Sequence, residues 1–330
     1  MEDAKLIDQY DRHLNYLRVS ITDRCNLQCM YCVPQELIER LSHEDILTYE
    51  EILRIITVGI HLGITKVRVT GGEPLVRKGV YEFLTELVQI PGLSDVSLTT
   101  NGVFLKDNIE KIRSAGISRI NISLDTLSRQ KYQKITGRDT FDRVWQGIEA
   151  AQSMGFDPIK LNIVALNGIN DDELEEMARL SFRYPFHIRF IEYMPIGQSD
   201  MGNGPLLLVP EIKKRISTLG NLVPVRNSKN DGPAKRYQFE GAKGEIGFIP
   251  ALSQHFCDSC NRLRLTASGQ LRPCLLSDHQ EDVKGPLRSN CSDEEIAQIF
   301  LKAIHHKPSD HNLAGHKVIR VCGEMRAIGG

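Results

Sequence analysis

Apolar and polar positions alternate with period two along Tyr16-Leu17-Arg18-Val19-Ser20-Ile21. Such alternation predicts a half-buried β-strand. It returns in Lys66-Val67-Arg68-Val69-Thr70, and further strands are predicted over Asp95–Thr99, Arg119–Ser123, Ile159–Val164 and His187–Glu192. Between them lie helical segments. One opens at Thr48 with Glu51 three residues on and closes at Gly63, the signature of a capping box and a glycine stop. Others are predicted over Val80–Val88, up to Gly116, over Phe141–Met154 and over Asp171–Phe182. Alternating strands and helices with short links imply a parallel sheet. Six such units fall short of the eight that close a barrel. The expected fold is therefore α/β: a partial, six-unit, TIM-like β/α barrel spanning residues 1–194, open enough for a substrate larger than a sugar phosphate.

The rhythm stops after Met194-Pro195. Residues 195–330 are expected to form a C-terminal extension. It holds a loop at Gly197–Gly204, a helix over Pro210–Leu219, a hairpin pairing Arg236–Phe239 with Glu245–Phe248, a turn at Ala267-Ser268-Gly269 and a helix over Asp293–Ile304.

Chemistry in β/α barrels sits at the C-terminal ends of the strands. The first strand runs directly into Cys25-Asn26-Leu27-Gln28-Cys29-Met30-Tyr31-Cys32, three thiols spaced C-x3-C-x2-C. Three thiolates leave a fourth ligand position open. A zinc knuckle completed elsewhere and a [4Fe–4S] cluster with one vacant iron both suit this spacing. The preceding strand and the aromatic Tyr31 before the last cysteine favour the cluster, and in these features the loop resembles the radical S-adenosylmethionine (SAM) signature. Gly71-Gly72-Glu73-Pro74, Thr99–Gly102 and Ser123–Asp125 fall at other strand ends. The glycines there let backbone approach a ligand closely.

A second group, Cys257, Cys260 and Cys274, is spaced C-x2-C-x13-C, with a hairpin to fold the third thiol back. A zinc ribbon completed by Cys291 or a histidine is one reading; a second cluster with an open iron is the other, and a pair of three-cysteine groups in one chain favours it. Arg262 and Arg264 follow on one face of a strand. Lys66 and Arg68 share a face of the second strand, and Arg18, Lys160 and Arg189 lie on others. Cations pointing outward would meet helices, where an unpaired charge is costly. Pointing inward, they form a polyanion site, with Arg gripping phosphate in bidentate fashion.

The net charge of −1 gives no general pull toward nucleic acid or membrane. Met1–Leu17 lacks the apolar core of a signal peptide, and no apolar run approaches the ~20 residues of a membrane span. A cytoplasmic location follows as an expectation, and there eight cysteines suit metals better than disulfides. His305, His306, His311 and His316 are read as exposed histidines of a polar tail, and Trp145 as core.

The stretches Arg18–Cys32, Lys66–Pro74, Leu98–Gly102, Asn121–Asp125, His187–Met194, Cys257–Arg264 and Gly329-Gly330 together resemble the GTP 3′,8-cyclase family, lyases of the first step of molybdenum cofactor biosynthesis. The resemblance implies two [4Fe–4S] clusters, one on Cys25, Cys29 and Cys32 that binds SAM, the other on Cys257, Cys260 and Cys274 that meets the guanine edge of GTP. Tyr31, Gly72, Ser123 and Met194 match SAM-contacting positions. Arg18, Arg68, Thr99, Lys160, Arg262 and Arg264 match GTP-contacting ones, with Lys66 and Arg189 as further phosphate candidates. The first three cysteines with Arg262 and Arg264 make up the implied catalytic set. The implied reaction begins with a 5′-deoxyadenosyl radical that removes hydrogen from ribose C3′; C3′ then bonds to guanine C8, giving 3′,8-cyclo-7,8-dihydro-GTP. Implied partners are GTP, a reductase, ferredoxin or flavodoxin as electron donor, and a downstream enzyme that forms cyclic pyranopterin. The chain is expected as a monomer or homodimer without nucleic acid or membrane. Rival readings are a peptide-modifying radical SAM enzyme, which usually carries more C-terminal cysteines, and a zinc-binding interaction module.

Overall fold

Six parallel strands in chain order organise the computed structural model, which describes residues 6–32, 40–196, 206–226, 232–311, 321 and 325–329. They are β1 (Tyr16–Ser20), β2 (Lys66–Thr70), β3 (Asp95–Thr100), β4 (Arg119–Ser123), β5 (Ile159–Ala165) and β6 (His187–Glu192). The links carry α1 (Tyr49–His61), α2 (Val80–Val88), α3 (Leu105–Ser114), α4 (Arg129–Thr136), α5 (Phe141–Ser153) and α6 (Leu174–Arg183). Beyond them come α7 (Val209–Ile216), β7 (Leu222–Pro224), β8 (Lys235–Phe239), β9 (Glu245–Ile249), β10 (Arg262–Leu265), β11 (Gln270–Arg272), β12 (Glu281–Asp282), α8 (Lys284–Arg288), α9 (Asp293–His305) and α10 (Met325–Ile328).

All twelve strands join one sheet, in the order β12-β11-β10-β1-β2-β3-β4-β5-β6-β9-β8-β7. The six-unit partial barrel is thus present, and the later residues extend both its edges. Strand β9 adds parallel to β6 and β10 adds parallel to β1, each followed outward by antiparallel partners. The C-terminal region is therefore continuous with the barrel rather than packed beside it.

Period-two alternation sorts each strand into two faces. Leu17, Val19, Val67, Val69, Leu263 and Leu265 are fully buried. They share one core with Ile52, Ile55 and Ile56 of α1 and with Ile296 and Phe300 of α9. Both helices are fixed by capping boxes. Thr48 Oγ1 accepts from Glu51 N at 3.2 Å while Glu51 Oε2 accepts from Thr48 N at 2.7 Å. Ser292 and Glu295 repeat the arrangement at 3.2 and 2.7 Å. Each such cap is worth ~1 kcal/mol.

Two sequence expectations are corrected, and one helix is added. Helix α4 was not anticipated, because its only buried positions are Tyr132, Ile135 and Thr136 and its apolar stripe is too sparse to read. Trp145 is half-buried at the core's rim, stacked on Phe141 and edge-on to Tyr184, with its indole N–H bonded to Glu149. His311 is buried, its ring bonded to the Ala251 carbonyl at 2.8 Å. His305 and His306 are exposed as expected, and His316 lies outside the described residues.

Candidate active site

Register builds the site. Arg18 on β1 lies opposite Arg264 on β10 and Arg68 on β2. Arg68 in turn faces Ser97 on β3. Two residues earlier on the same faces, Tyr16 pairs with Arg262 and with Lys66, which pairs with Asp95. Two rows of polar side chains thus cross the sheet on the face opposite the aliphatic core. Arg18, Arg68, Arg189, Arg262 and Arg264 all line one cavity of about 290 Å³. The five arginines thus face the cavity rather than the helices.

Their mutual crowding is severe. Burial, with repulsion from Arg68 and Arg262, lowers Arg18 to about 10 despite the opposing pull of Tyr16. Burial and the neighbouring Arg18 and Arg262 push Arg264 well below the ordinary arginine range. Three polar atoms in the cavity wall, Tyr16 Oη, Thr99 Oγ1 and Asn162 Oδ1, are buried without a hydrogen-bond partner among the described residues. Each such orphan costs about 1–3 kcal/mol. A polar, anionic ligand would relieve both the orphans and the cation crowding.

The first cysteine loop closes the cavity at the strand ends. It is clamped by α4: Gln28 N and Met30 N donate to the carbonyls of Thr136 and Ile135, each at 2.9 Å. The Tyr31 hydroxyl donates to Asp125 Oδ2 at 2.6 Å. Cys29 is raised well above its ordinary value, first by burial and then by Cys32, Asp125 and Cys25. Thiols that repel each other in a buried loop fit a polynuclear cation, whose charge would reverse that penalty.

The Gly71–Pro74 turn serves this loop. A Cβ on Gly71 would lie 2.7 Å from the Thr22 carbonyl oxygen, and one on Gly72 2.3 Å from that of Arg24. The close backbone approach that glycine permits is therefore to residues 22–24, although both glycines also line the cavity. Glu73 follows, fully buried. Its carboxylate accepts from Thr100 Oγ1 at 2.8 Å, Asn101 N at 2.6 Å and Leu75 N at 3.0 Å. Burial outweighs these bonds and raises it to about 7. Asn101 then reaches Asn26 Oδ1 at 2.9 Å and Cys25 Sγ at 3.7 Å. Glu73 and Asn101 thus position Cys25.

Cys257, Cys260 and Cys274 line the same cavity. Burial and then Cys274 and Cys260 raise Cys257 to about 11. Burial would raise Cys260 as well, but Arg262 and Lys307 outweigh it and bring the thiol down to about 6. Lys307 Nζ sits 3.6 Å from Cys260 Sγ and donates to the carbonyls of Arg262 at 2.9 Å and Pro273 at 2.6 Å. Arg12 Nη1 donates to the Cys257 carbonyl at 2.9 Å. The donor set, three thiols with cations beside Cys260, again suits a metal cluster held by thiolates. Cys291 stands apart, beside Arg54 and Asp293, so the zinc-ribbon reading loses that ligand.

Of the residues singled out from the sequence, Tyr31, Gly72, Thr99, Ser123 and Met194 line the cavity with all six grouped cysteines and five arginines. Lys66 and Lys160 do not line it. Lys66 is buried in an ion pair with Asp95 at 2.8 Å. Lys160 is buried on β5 between Asn121 and His187, where burial followed by Arg189, Arg119, Arg68 and Lys66 lowers it to about 6. Sequence reasoning missed Asp125 as the Tyr31 partner, the Glu73–Asn101 link, Lys307 and Arg12. For Lys307 and Arg12 no local pattern existed: Lys307 lies 47 residues from Cys260 and Arg12 lies 245 from Cys257.

Comparison with known proteins agrees. A family model described as Radical SAM superfamily matches residues 19–181, and one described as Molybdenum Cofactor Synthesis C matches residues 186–313. Streptococcus suis SuiB bound to S-adenosylmethionine shares the fold with a TM-score of 0.64 at 14% identity, over 96% of this chain and 72% of that one. Fold and cysteine loop together define a radical SAM protein, a class with a [4Fe–4S] cluster and a SAM site. A GTP 3′,8-cyclase of Thermodesulfovibrio yellowstonii is 48% identical over 303 residues, 91% of this chain and 94% of its own. One of Moorella thermoacetica is 48% identical over 306 residues, 93% and 95% of the two chains. The chain belongs to the GTP 3′,8-cyclase family. Among the described residues no helix is long and apolar enough to cross a membrane.

Proposed function

We propose that this chain is a GTP 3′,8-cyclase, converting GTP to 3′,8-cyclo-7,8-dihydro-GTP in the first step of molybdenum cofactor biosynthesis. The observation that carries the reading is the Arg264–Arg18–Arg68 row, which faces one cavity together with both cysteine triplets. Such a row suits a triphosphate, and both triplets in the wall of one cavity fit a nucleoside held between two metal centres.

Cys25, Cys29 and Cys32 would hold the SAM cluster; Cys257, Cys260 and Cys274 would hold a second [4Fe–4S] cluster. When bound, the first cluster and SAM supply one-electron chemistry that generates a 5′-deoxyadenosyl radical. The protein's own work is positioning. Tyr31, Gly72, Ser123 and Met194 contact SAM in this reading, with Tyr31 held by Asp125 and Cys25 by Asn101. Arg18, Arg68, Arg189, Arg262 and Arg264 grip the phosphates, Lys66 and Lys160 add positive potential behind them, and Thr99 offers its unpaired hydroxyl. Fixing one ribose C–H beside a reactive carbon is what converts a promiscuous radical into a selective one. In this reading the bound SAM and GTP exclude water from the reacting atoms.

In this reading residues 1–194 form the radical SAM barrel core and residues 195–330 carry the second cluster and further substrate-binding residues, across a shared sheet. The enzyme works in the cytoplasm as a monomer or homodimer, takes electrons from a reductase, ferredoxin or flavodoxin, and hands its product to a cyclic pyranopterin-forming enzyme. Anaerobic incubation with SAM, a strong reductant and GTP tests the reading. It requires 5′-deoxyadenosine and a cyclised nucleotide to appear together; SAM cleavage indifferent to GTP would reject it.

A further inference from the structure

Away from the cavity, His279, Glu281 and His306 each bring a ligand atom to within 4.8 Å of the other two. His279 Nε2 lies 2.9 Å and His306 Nδ1 3.3 Å from the same oxygen, Glu281 Oε1. The two imidazole rings lie with centroids 4.1 Å apart, tilted by 41° to each other. Three separate constraints set this arrangement. Glu281 is fixed in β12 opposite Leu271 and is buried. His279 sits in the turn between β11 and β12, its N–H bonded to Ser277 Oγ at 3.2 Å. His306 is the C-cap of α9, where the helix's free carbonyls favour positive charge.

Two imidazole nitrogens converging on one carboxylate oxygen form a donor set that a single divalent ion can bridge. Zinc bound tetrahedrally at ~2.0–2.2 Å sets its ligand atoms roughly 3.3–3.5 Å apart; the His306–Glu281 separation of 3.3 Å already matches, and the His279–Glu281 separation of 2.9 Å would open by a few tenths of an ångström. Imidazole nitrogen with one carboxylate oxygen selects borderline ions of the zinc class over calcium or magnesium. Lys302 Nζ holds the other carboxylate oxygen, Glu281 Oε2, at 2.7 Å, which orients Oε1 inward and tempers affinity.

We infer that His279, Glu281 and His306 form a binding site for one zinc-class divalent cation, with a fourth position open to water. The place gives it a consequence. His306 directly precedes Lys307, which touches Cys260 and the Arg262 and Pro273 carbonyls. His279 lies in the segment that follows Cys274. An ion here would tie together, from outside, two segments that wall the second cysteine triplet.

The test uses untagged enzyme with both cysteine triplets loaded with iron and sulfide, dialysed anaerobically against Zn²⁺, with zinc and iron counted per chain. Wild type should bind one zinc more than the His279→Ala/His306→Ala double variant, at unchanged iron. Single substitutions should weaken zinc binding at least about tenfold, since even outer partners of metal ligands are worth 10–100-fold. Lys302→Ala should tighten it. Should the alanine variants lose iron or melt early, Glu281→Gln keeps the shape while removing the charge, and it too should abolish the extra zinc. Equal zinc in wild type and variants, including zinc that merely replaces iron in all of them, overturns the site.

Discussion

Arg264 Nη1 donates a 2.6 Å hydrogen bond to the Gly329 carbonyl, and the contact is buried. Arg264 belongs to the arginine row, so residue 329 reaches the wall that would hold GTP. Gly329 has φ +71°, and a Cβ there would lie 2.9 Å from Thr70 Cγ2 and 3.3 Å from Ser20 Cβ. Only glycine adopts that backbone in that gap without strain.

Deleting Gly329 and Gly330, of which Gly330 lies outside the described residues, should therefore leave iron content and SAM binding intact while sharply reducing cyclised product. Gly329→Ala should behave similarly, at least tenfold down, since the left-handed conformation alone costs an alanine ~1 kcal/mol before the clash is counted. Product assays beside iron analysis check this. Full cyclisation by the truncated enzyme would show that the tail contact has no role.

The two triplets predict about eight iron atoms per chain after anaerobic isolation. Cys25→Ala should halve the iron and abolish 5′-deoxyadenosine formation. Cys257→Ala should also halve the iron but leave reductive SAM cleavage measurable. Iron analysis and chromatography decide, and a Cys25 variant that still cleaves SAM contradicts the assignment of the first site.

Arg262→Ala and Arg264→Ala should keep both clusters and lose GTP affinity. A charge-assisted contact is worth ~1.5–3 kcal/mol, which is roughly 10- to 100-fold in Kd. Arg262 is also stacked over Phe256 at 4.6 Å, so Arg262→Lys should recover little. Normal affinity in either alanine variant removes β10 from the substrate site.

Lys160 predicts a pH dependence. Its folded value is lowered from 10.5 to about 6, so between those values the unfolded chain binds the extra proton. Stability of the ligand-free enzyme should then rise with pH through that window. Lys160→Met removes the penalty and should stabilise more at pH 7 than at pH 9 in thermal melts. A triphosphate nearby would restore the charge. Calorimetry at pH 8 in buffers of different ionisation enthalpy should therefore show proton uptake on GTP binding that Lys160→Met abolishes. Uptake unchanged in the variant would place the proton elsewhere.

Much of this was legible in the sequence because it is local. Alternation located β1 to β6 within a residue or so, and the Thr48–Glu51 box marked α1. The cysteine spacings named both candidate metal groups before any fold was known. What stayed hidden depends on register between distant segments. Arg18, Arg68 and Arg264 were each visible, but their alignment requires β10 to pair with β1, more than two hundred residues away. Lys66 read as a phosphate ligand because its strand face was right; its ion pair with Asp95 comes from a neighbouring strand. Glu73 looked like part of a glycine turn, and only packing shows its carboxylate holding Asn101 against the first cysteine loop.

The central claim, that this cavity places ribose C3′ of GTP beside a SAM-derived radical, is tested most directly by isotope transfer. The enzyme is incubated anaerobically with SAM, reductant and GTP deuterated at C3′, and the 5′-deoxyadenosine is analysed by mass spectrometry. The account predicts one deuterium in 5′-deoxyadenosine from C3′-labelled GTP and none from GTP labelled at C8. Unlabelled 5′-deoxyadenosine from the C3′-deuterated substrate would contradict it.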